Sequence, residues 1–177
     1  MFVGANREVL QTGSYLYGFS HIPSHRLSLP PDTFTIALFR DPADRIVSHY
    51  RMILDHDSRD IERSWLARER RWLGNTFHDF LANLPRERLL AQLFMFSADF
   101  DVSEALTNIR RCSHYFHASC YQSGLARLAT LTRLPLKLRH AHRSRIAVEL
   151  PPRERKHLRA LLAPEYELLR QLWPEGC

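Results

Sequence analysis

The segment around residue 40 constrains the fold more than any other part of the chain. Residues 33–39 are β-branched or aromatic and nearly all apolar, which is typical of a strand buried on both faces. Arg40 ends this run, and Asp41-Pro42 then combines a helix N-cap oxygen with a proline suited to the first helical position. The sequence therefore predicts a buried strand that turns directly into a helix, an arrangement typical of a layered α/β domain.

Strands and helices alternate along the rest of the chain. The residue patterns predict two further strands, at 14–19 and 113–118, and a charged, partly exposed helical stretch at 58–73. Capping residues and prolines mark the other predicted helices, which cover 76–84, 85–94, 103–110, 119–131, 151–162 and 164–172. No repeat or linker interrupts this order, so we expect one domain over residues 1–177.

Composition indicates an ordinary globular protein with a preference for anions. The 177 residues are 45% hydrophobic and 25% charged, and the net charge of +6 favours an anionic partner. Lys137 and Lys156 are the only lysines, and the arginines that make up the remaining basic residues suit phosphate or sulfate. No membrane span or signal peptide is evident, so we expect no transmembrane segment, a cytoplasmic location and reduced cysteine thiols.

The motif with the most chemical information runs from residue 40 to residue 50, Arg-Asp-Pro-Ala-Asp-Arg-Ile-Val-Ser-His-Tyr. Ligand sites lie at the carboxyl ends of parallel strands, and helix N-termini attract phosphate. Arg40 would supply a fork of donors at this strand end. Ser48 lies about two turns into the helix, so its hydroxyl can contribute only if the phosphate lies alongside the helix.

This segment resembles the second cofactor motif of sulfotransferases that use 3′-phosphoadenosine 5′-phosphosulfate (PAPS). That motif is a strand followed by Arg-x-Pro-x-x-Arg-x-x-Ser-x-Tyr, which Arg40, Pro42, Arg45, Ser48 and Tyr50 match. The resemblance implies a parallel sheet flanked by helices, as in P-loop NTPases, with PAPS as sulfuryl donor. It also implies that Arg40 and Ser48 bind the 3′-phosphate, while we expect Arg45 and Tyr50 to support the helix.

A second resemblance concerns residues 17–23, Tyr-Gly-Phe-Ser-His-Ile-Pro. They look like the Gly-His-Val-Pro stretch of carbohydrate 2-O-sulfotransferases and their bacterial relatives, although Ser20 replaces the family's glycine. The resemblance implies a hydroxyl-bearing, glycan-type acceptor and makes His21 the base that removes its proton. Histidine suits this role because its ordinary pKa is about 6.5. His25 is a nearby alternative.

The family's first cofactor motif, a loop of the type Pro-Lys-Thr-Gly-Thr, has no counterpart here. Residues 11–14, Gln-Thr-Gly-Ser, contain no lysine. We therefore expect an N-terminally truncated chain whose sheet lacks the phosphosulfate-loop unit and exposes apolar edges. Loss of that loop would remove stabilisation of the departing oxygens. Sulfotransferase activity, a non-catalytic remnant of the family and a basic module for an anionic polymer all stay open.

Two other residue clusters have simpler interpretations. Cys112, His114, His117 and Cys120 match no usual zinc spacing, and the two histidines would face opposite sides of a strand, so we predict no metal site. The arginines of residues 59–71 alternate with acids, as on a solvated helix face. No nucleic-acid-binding motif is present, so we expect no nucleic-acid partner. Five further arginines could serve either an anionic glycan acceptor or a nucleic acid: Arg110, Arg111, Arg139, Arg143 and Arg145.

Overall fold

A computed structural model describes residues 2–3, 7–13, 17–57, 68–137 and 148–176. The described chain is mixed α/β and contains two small parallel sheets. In the first sheet, β1 (Phe2–Val3) pairs with β2 (Tyr17–Gly18). In the second sheet, β3 (Ile36–Phe39) pairs with β4 (His114–His117), with Phe39 in register with His117.

Helices connect and cover these strands. Short 3₁₀ turns occupy Ser24–Arg26 and Ala118–Cys120. The helices whose bounds lie within the described residues are α1 (Arg7–Thr12), α2 (Pro42–Asp57), α3 (Phe77–Asn83), α4 (Arg86–Leu89), α5 (Ala91–Phe94), α6 (Val102–Arg110), α7 (Tyr121–Thr132), α8 (Pro152–Leu161) and α9 (Ala163–Leu172).

The predicted helices agree with this arrangement, with one interruption. The helix predicted at 85–94 is divided into α4 and α5, because Leu90 between them leaves the helical region at φ −105° and ψ 44°. Most of the charged stretch at 58–73 lies outside the described residues, as do residues 14–16 of the first predicted strand. The strand predicted at 113–118 is confirmed as β4.

The β3–α2 turn forms where the sequence predicted it. Asp41 Oδ1 accepts a hydrogen bond from Asp44 N at 2.9 Å, which caps the first turn of α2, and Pro42 is the first helical residue. The strand itself begins at Ile36 rather than at residue 33. Ahead of it, the side chains of Thr35 and Ser113 each accept from the other's backbone N–H, at 3.2 and 3.0 Å.

The prediction that β3 is buried on both faces is wrong. Ala37 and Phe39 are 8% and 1% exposed, whereas Ile36 and Leu38 are 43% and 53% exposed. Successive side chains of a strand point to opposite faces, so one face of β3 packs on the core and the other meets solvent.

Helix α7 covers the neighbouring strand on that same face. Its Gly124 approaches the Phe116 ring so closely that a Cβ there would lie 2.3 Å from ring carbon Cδ2. A ring nitrogen of His114, Nε2, lies 3.1 Å from Gly124 O. The sheet face is therefore covered above β4, while Ile36 and Leu38 of β3 stay open.

The core lies on the other side of the sheet, among α2, α3 and the C-terminal helices. Its fully buried side chains come from distant parts of the sequence: Ile46, Ile53, Phe80, Leu93, Ile109, Leu158, Leu162 and Leu168. Burial of such apolar area is the main favourable term in folding. No described helix combines the length and the apolar character needed to cross a membrane.

The cysteines differ from one another. Cys112 is a half-buried free thiol, and burial raises its pKa above the ordinary value for cysteine. Cys120 is disulfide-bonded, so the expectation of reduced thiols is wrong at that position.

Candidate functional site

The carboxyl ends of β3 and β4 lie side by side, because the two strands are parallel and Phe39 is in register with His117. Arg40 and Asp41 follow the first strand, and Ser119 lies just beyond the second. Ligand sites of open parallel sheets form outside this edge. We therefore take the β3–α2 turn as the candidate site.

Arg40 combines a fixed backbone with an unengaged side chain. Its N–H donates to Gln92 Oε1 at 2.8 Å, and its carbonyl oxygen accepts from Gln92 Nε2 at 3.0 Å. The side chain is exposed, and its guanidinium makes no hydrogen bond or ion pair with any described residue. The structure thus presents a charged fork of donors at the strand end that no described residue engages.

A buried carboxylate holds Gln92 in place. Glu165, in the first turn of α9, is 0% exposed. Its Oε1 accepts from Gln92 N at 2.6 Å and from Leu93 N at 3.3 Å, and its Oε2 lies 3.4 Å from Gln92 Nε2. Arg45 Nη2 donates to the same Oε2 at 3.0 Å, so the buried negative charge has a cationic partner.

Ser48 lies on the side of α2 away from the core. It is two residues beyond the fully buried Ile46, which places it on the opposite side of the helix. The residue is half-buried, and within the described part of the chain its hydroxyl has no hydrogen-bond partner. Like Arg40, it carries a polar group to which the described part of the chain offers no partner.

The other residues of the motif have structural roles. Pro42 is fully buried, and Arg45 donates to Glu165 and to the carbonyl oxygens of Arg88 and Leu89. The Tyr50 ring packs against Phe77 and Phe80, with centroid distances of 5.1 and 5.0 Å. The prediction that Arg45 and Tyr50 support the helix is confirmed.

His21 is exposed in the loop that follows β2. That loop is anchored by Ser24, whose N and Oγ both donate to Met95 O, at 2.8 and 2.7 Å. His21 lies within electrostatic range of Glu69, whose carboxylate pairs with Nε2 of His49 at 3.0 Å. Within the described residues, no hydrogen bond joins His21 to Arg40 or Ser48.

The pKa of Glu69 reflects this cluster. Burial acts to raise the pKa, but the hydrogen bond and charge of His49, together with Arg88 and His21, outweigh it and hold the pKa below the ordinary value. The alternative base, His25, packs edge-on against Phe94 at 5.3 Å and is also exposed.

The Asp41 carboxylate, besides capping α2, also accepts hydrogen bonds from another part of the chain. The hydroxyl of Tyr166 donates to its two carboxylate oxygens, at 3.2 and 3.1 Å. Burial of Tyr166 and the negative charge of Asp41 raise the tyrosine pKa. The same carboxylate opposes the effect of burial on His117, where burial lowers the pKa of the imidazole.

The cysteine–histidine cluster is not arranged as a metal site. Within residues 2–3, 7–13, 17–57, 68–137 and 148–176, no three or more His, Cys, Asp or Glu side chains are placed to hold an ion. His114 stacks on Phe116 at 5.3 Å, whereas His117 packs against Trp173 at 5.6 Å. The two rings occupy opposite faces of the sheet, as strand alternation predicts.

The sequence patterns did not predict Gln92 and Glu165, the buried residues that hold the Arg40 backbone in place. Gln92 lies in a short helix and Glu165 in the first turn of another, where an acid usually interacts favourably with the helix N-terminus and stays solvated. Pro164 marks the start of the helix, but it does not indicate that the next side chain, Glu165, is buried. Only the packing of α9 against α5 shows that Glu165 reaches Gln92.

Comparison of the chain with protein-family models, with curated proteins and with solved structures finds no match in any of the three. The functional assignment therefore depends on the geometry of the β3–α2 turn and on the resemblance of its motif.

Proposed function

We propose that this chain is a PAPS-dependent sulfotransferase domain in which Arg40 and Ser48 bind the 3′-phosphate of the nucleotide. One observation carries the proposal. Of the five residues that match the family's motif, Pro42, Arg45 and Tyr50 are buried, paired or packed within the fold, whereas the side chains of Arg40 and Ser48 make no hydrogen bond or ion pair with any described residue. In the family, these are the two positions that bind phosphate.

The environment of the turn supports a phosphate that lies beside α2 rather than in line with its N-terminus. The Asp41 carboxylate occupies the N-terminal cap, and a second negative charge there would be repelled. Arg40 can donate two parallel hydrogen bonds to phosphate oxygens, and the Ser48 hydroxyl can donate a third from the flank of the helix. The backbone of Arg40 is already fixed, which reduces the entropy lost on binding.

In the proposed reaction, the hydroxyl oxygen of a glycan-type acceptor attacks the sulfur of PAPS. A bond forms from the acceptor oxygen to sulfur, the bond from sulfur to the nucleotide's 5′-phosphate oxygen breaks, and His21 takes the hydroxyl proton. The products are a sulfate ester and adenosine 3′,5′-bisphosphate. Neither Lys137 nor Lys156 lies in a glycine-rich loop that could bind the 5′-phosphosulfate. The roles assigned here therefore concern the 3′-phosphate, through Arg40 and Ser48, and the acceptor, through His21. The proposed architecture is the helix-flanked, P-loop-like parallel sheet, of which β3 and β4 are two strands.

Calorimetric titration with adenosine 3′,5′-bisphosphate tests the phosphate site. We expect the unmodified chain to bind this nucleotide more tightly than adenosine 5′-monophosphate, which lacks the 3′-phosphate. Arg40→Ala should weaken binding by at least about tenfold, since charge-assisted hydrogen bonds are lost. Ser48→Ala should weaken it by a smaller factor. Arg127→Ala and Ser103→Ala, at exposed positions on α7 and α6, are matched controls that should leave affinity unchanged.

Equal affinity for the two nucleotides, or unchanged binding by a folded Arg40→Ala variant, would contradict the phosphate site. If the chain instead binds a sulfated polysaccharide, with an affinity that falls steeply as salt rises and that both arginine variants weaken alike, the basic-module interpretation is the better one.

A further inference from the structure

Arg40, which directly follows β3, has an unusual backbone partner, because both of its main-chain polar groups bond to a side chain. The Gln92 amide accepts from Arg40 N–H at 2.8 Å and donates to Arg40 C=O at 3.0 Å. A primary amide offers one acceptor and two donors, so it can replace both groups that a neighbouring strand would present. Gln92 is 9% exposed, and this pairing is shielded on the Gln92 side.

Gln92 is itself held from two directions. Its backbone N–H donates to Glu165 Oε1 at 2.6 Å, and its Nε2 lies 3.4 Å from Glu165 Oε2. The same carboxylate is paired with Arg45 of the motif helix. A connected set of hydrogen bonds therefore runs from α9 through α5 to Arg40, the residue that follows β3, with a branch to α2.

From this geometry we infer that Gln92 is a positioning residue for Arg40. Nucleotide affinity then depends on Gln92 although Gln92 itself does not contact the nucleotide. The inference rests on the proposed function. Gln92 fixes the φ and ψ angles from which the Arg40 side chain projects, and the guanidinium has no described partner of its own to orient it. Orientation before binding is what makes a bidentate contact to phosphate favourable.

Gln92→Met provides a clean variant, because methionine matches the length of glutamine and lacks its donors and acceptor. The variant should fold. Glu165 keeps Arg45 and the two backbone N–H groups of α5. The loss of both hydrogen bonds to the Arg40 backbone should lower stability, so the folded state of the variant is checked by circular dichroism. Asn108→Leu is the matched control, since it removes an amide that donates to Phe96 O at 2.8 Å in another part of the fold.

The experiment is a double-variant cycle with adenosine 3′,5′-bisphosphate, comparing the unmodified chain with Gln92→Met, Arg40→Ala and the combination. We expect Gln92→Met to weaken binding roughly tenfold and the combined variant to bind no more weakly than Arg40→Ala alone. Asn108→Leu should lower stability and leave affinity unchanged. Hydrogen exchange without nucleotide gives an independent reading, since the Arg40 amide should lose protection in Gln92→Met.

Two results would overturn the inference. One is unchanged affinity in a Gln92→Met chain whose Arg40 amide has lost protection. The other is a further loss in the combined variant, which would mean that Gln92 acts on the nucleotide independently of Arg40. If Arg40→Ala itself has no effect on binding, the proposed function fails. The protection of the Arg40 amide then still reports whether Gln92 fixes the strand end.

Discussion

At the scale of single residues, Arg40 and Arg45 show how position decides the use of the same side chain. Arg45 lies beside a fully buried carboxylate and donates to it and to two carbonyl oxygens. Arg40 lies at the exposed edge and has no described partner. A buried charge that loses its partner is costly, so Glu165 requires Arg45, whereas the fold places no such demand on Arg40.

Glu165→Ala should therefore destabilise the protein strongly. The substitution leaves the Arg45 guanidinium without its anionic partner and removes the acceptor for Gln92 N and Leu93 N. We expect a loss of about 3–5 kcal/mol in the free energy of unfolding, measured by urea denaturation. The control is Glu167→Ala, two residues away on the same helix, which removes an exposed pair with Arg170 and should cost less than about 1 kcal/mol. Similar losses for the two variants would contradict the role of Glu165.

At the scale of elements, one glycine sets the distance between α7 and β4. A Cβ at position 124 would lie 2.3, 2.5 and 2.8 Å from three atoms of the Phe116 side chain, closer than real contacts allow. Helix propensity and packing therefore favour opposite outcomes for a substitution at this position.

Gly124→Ala distinguishes these two effects by sign. Propensity alone would stabilise the helix by up to about 1 kcal/mol, whereas the overlap with Phe116 should destabilise the protein by about 1–3 kcal/mol. We expect the packing effect to dominate, so the thermal midpoint should fall. Gln122→Ala, on an exposed position of α7, should leave the midpoint nearly unchanged. A rise in the midpoint of Gly124→Ala would show that α7 shifts away from the strand at little cost.

Caps and residue patterns along the sequence predicted most helices and strands. They could not predict contacts between residues that are far apart in the sequence. Asp41 could be predicted as a cap because a cap and the N–H group that it binds lie three residues apart. The same spacing holds at Thr76, which forms a capping box with Asp79 at the start of α3. The exposed face of β3 could not be predicted, because an apolar run has the same pattern whether or not a helix covers it. Gln92 and Glu165 are 73 residues apart, so no window on the sequence shows that they meet.

At the scale of the whole molecule, the β3–β4 sheet separates a packed side from an open one. The helical core covers Phe39 and Ala37, and the opposite face of the same strand is open at Ile36 and Leu38. Truncation of Phe39 and truncation of Leu38 should therefore change the free energy of unfolding by very different amounts, although both side chains are large and apolar.

A pair of truncations tests this one-sided arrangement. Phe39→Ala removes a ring that packs on Phe96 and Trp173 and should cost about 3–5 kcal/mol of unfolding free energy. Leu38→Ala, one residue earlier and 53% exposed, should cost about 0.5 kcal/mol or less. Guanidinium denaturation measures both. A large loss for Leu38→Ala would mean that its face of the sheet is covered in solution.

The pairing of β3 with β4 also has a consequence for the order in which the chain acquires its structure. Thr35 and Ser113, which exchange hydrogen bonds at the start of the pair, are 78 residues apart. Parallel pairing over such a separation must overcome the entropy of closing a long loop before any of its hydrogen bonds form. We expect the intervening helices to shorten that loop by forming first. The edge that carries Arg40 is then among the last parts of the fold to be completed.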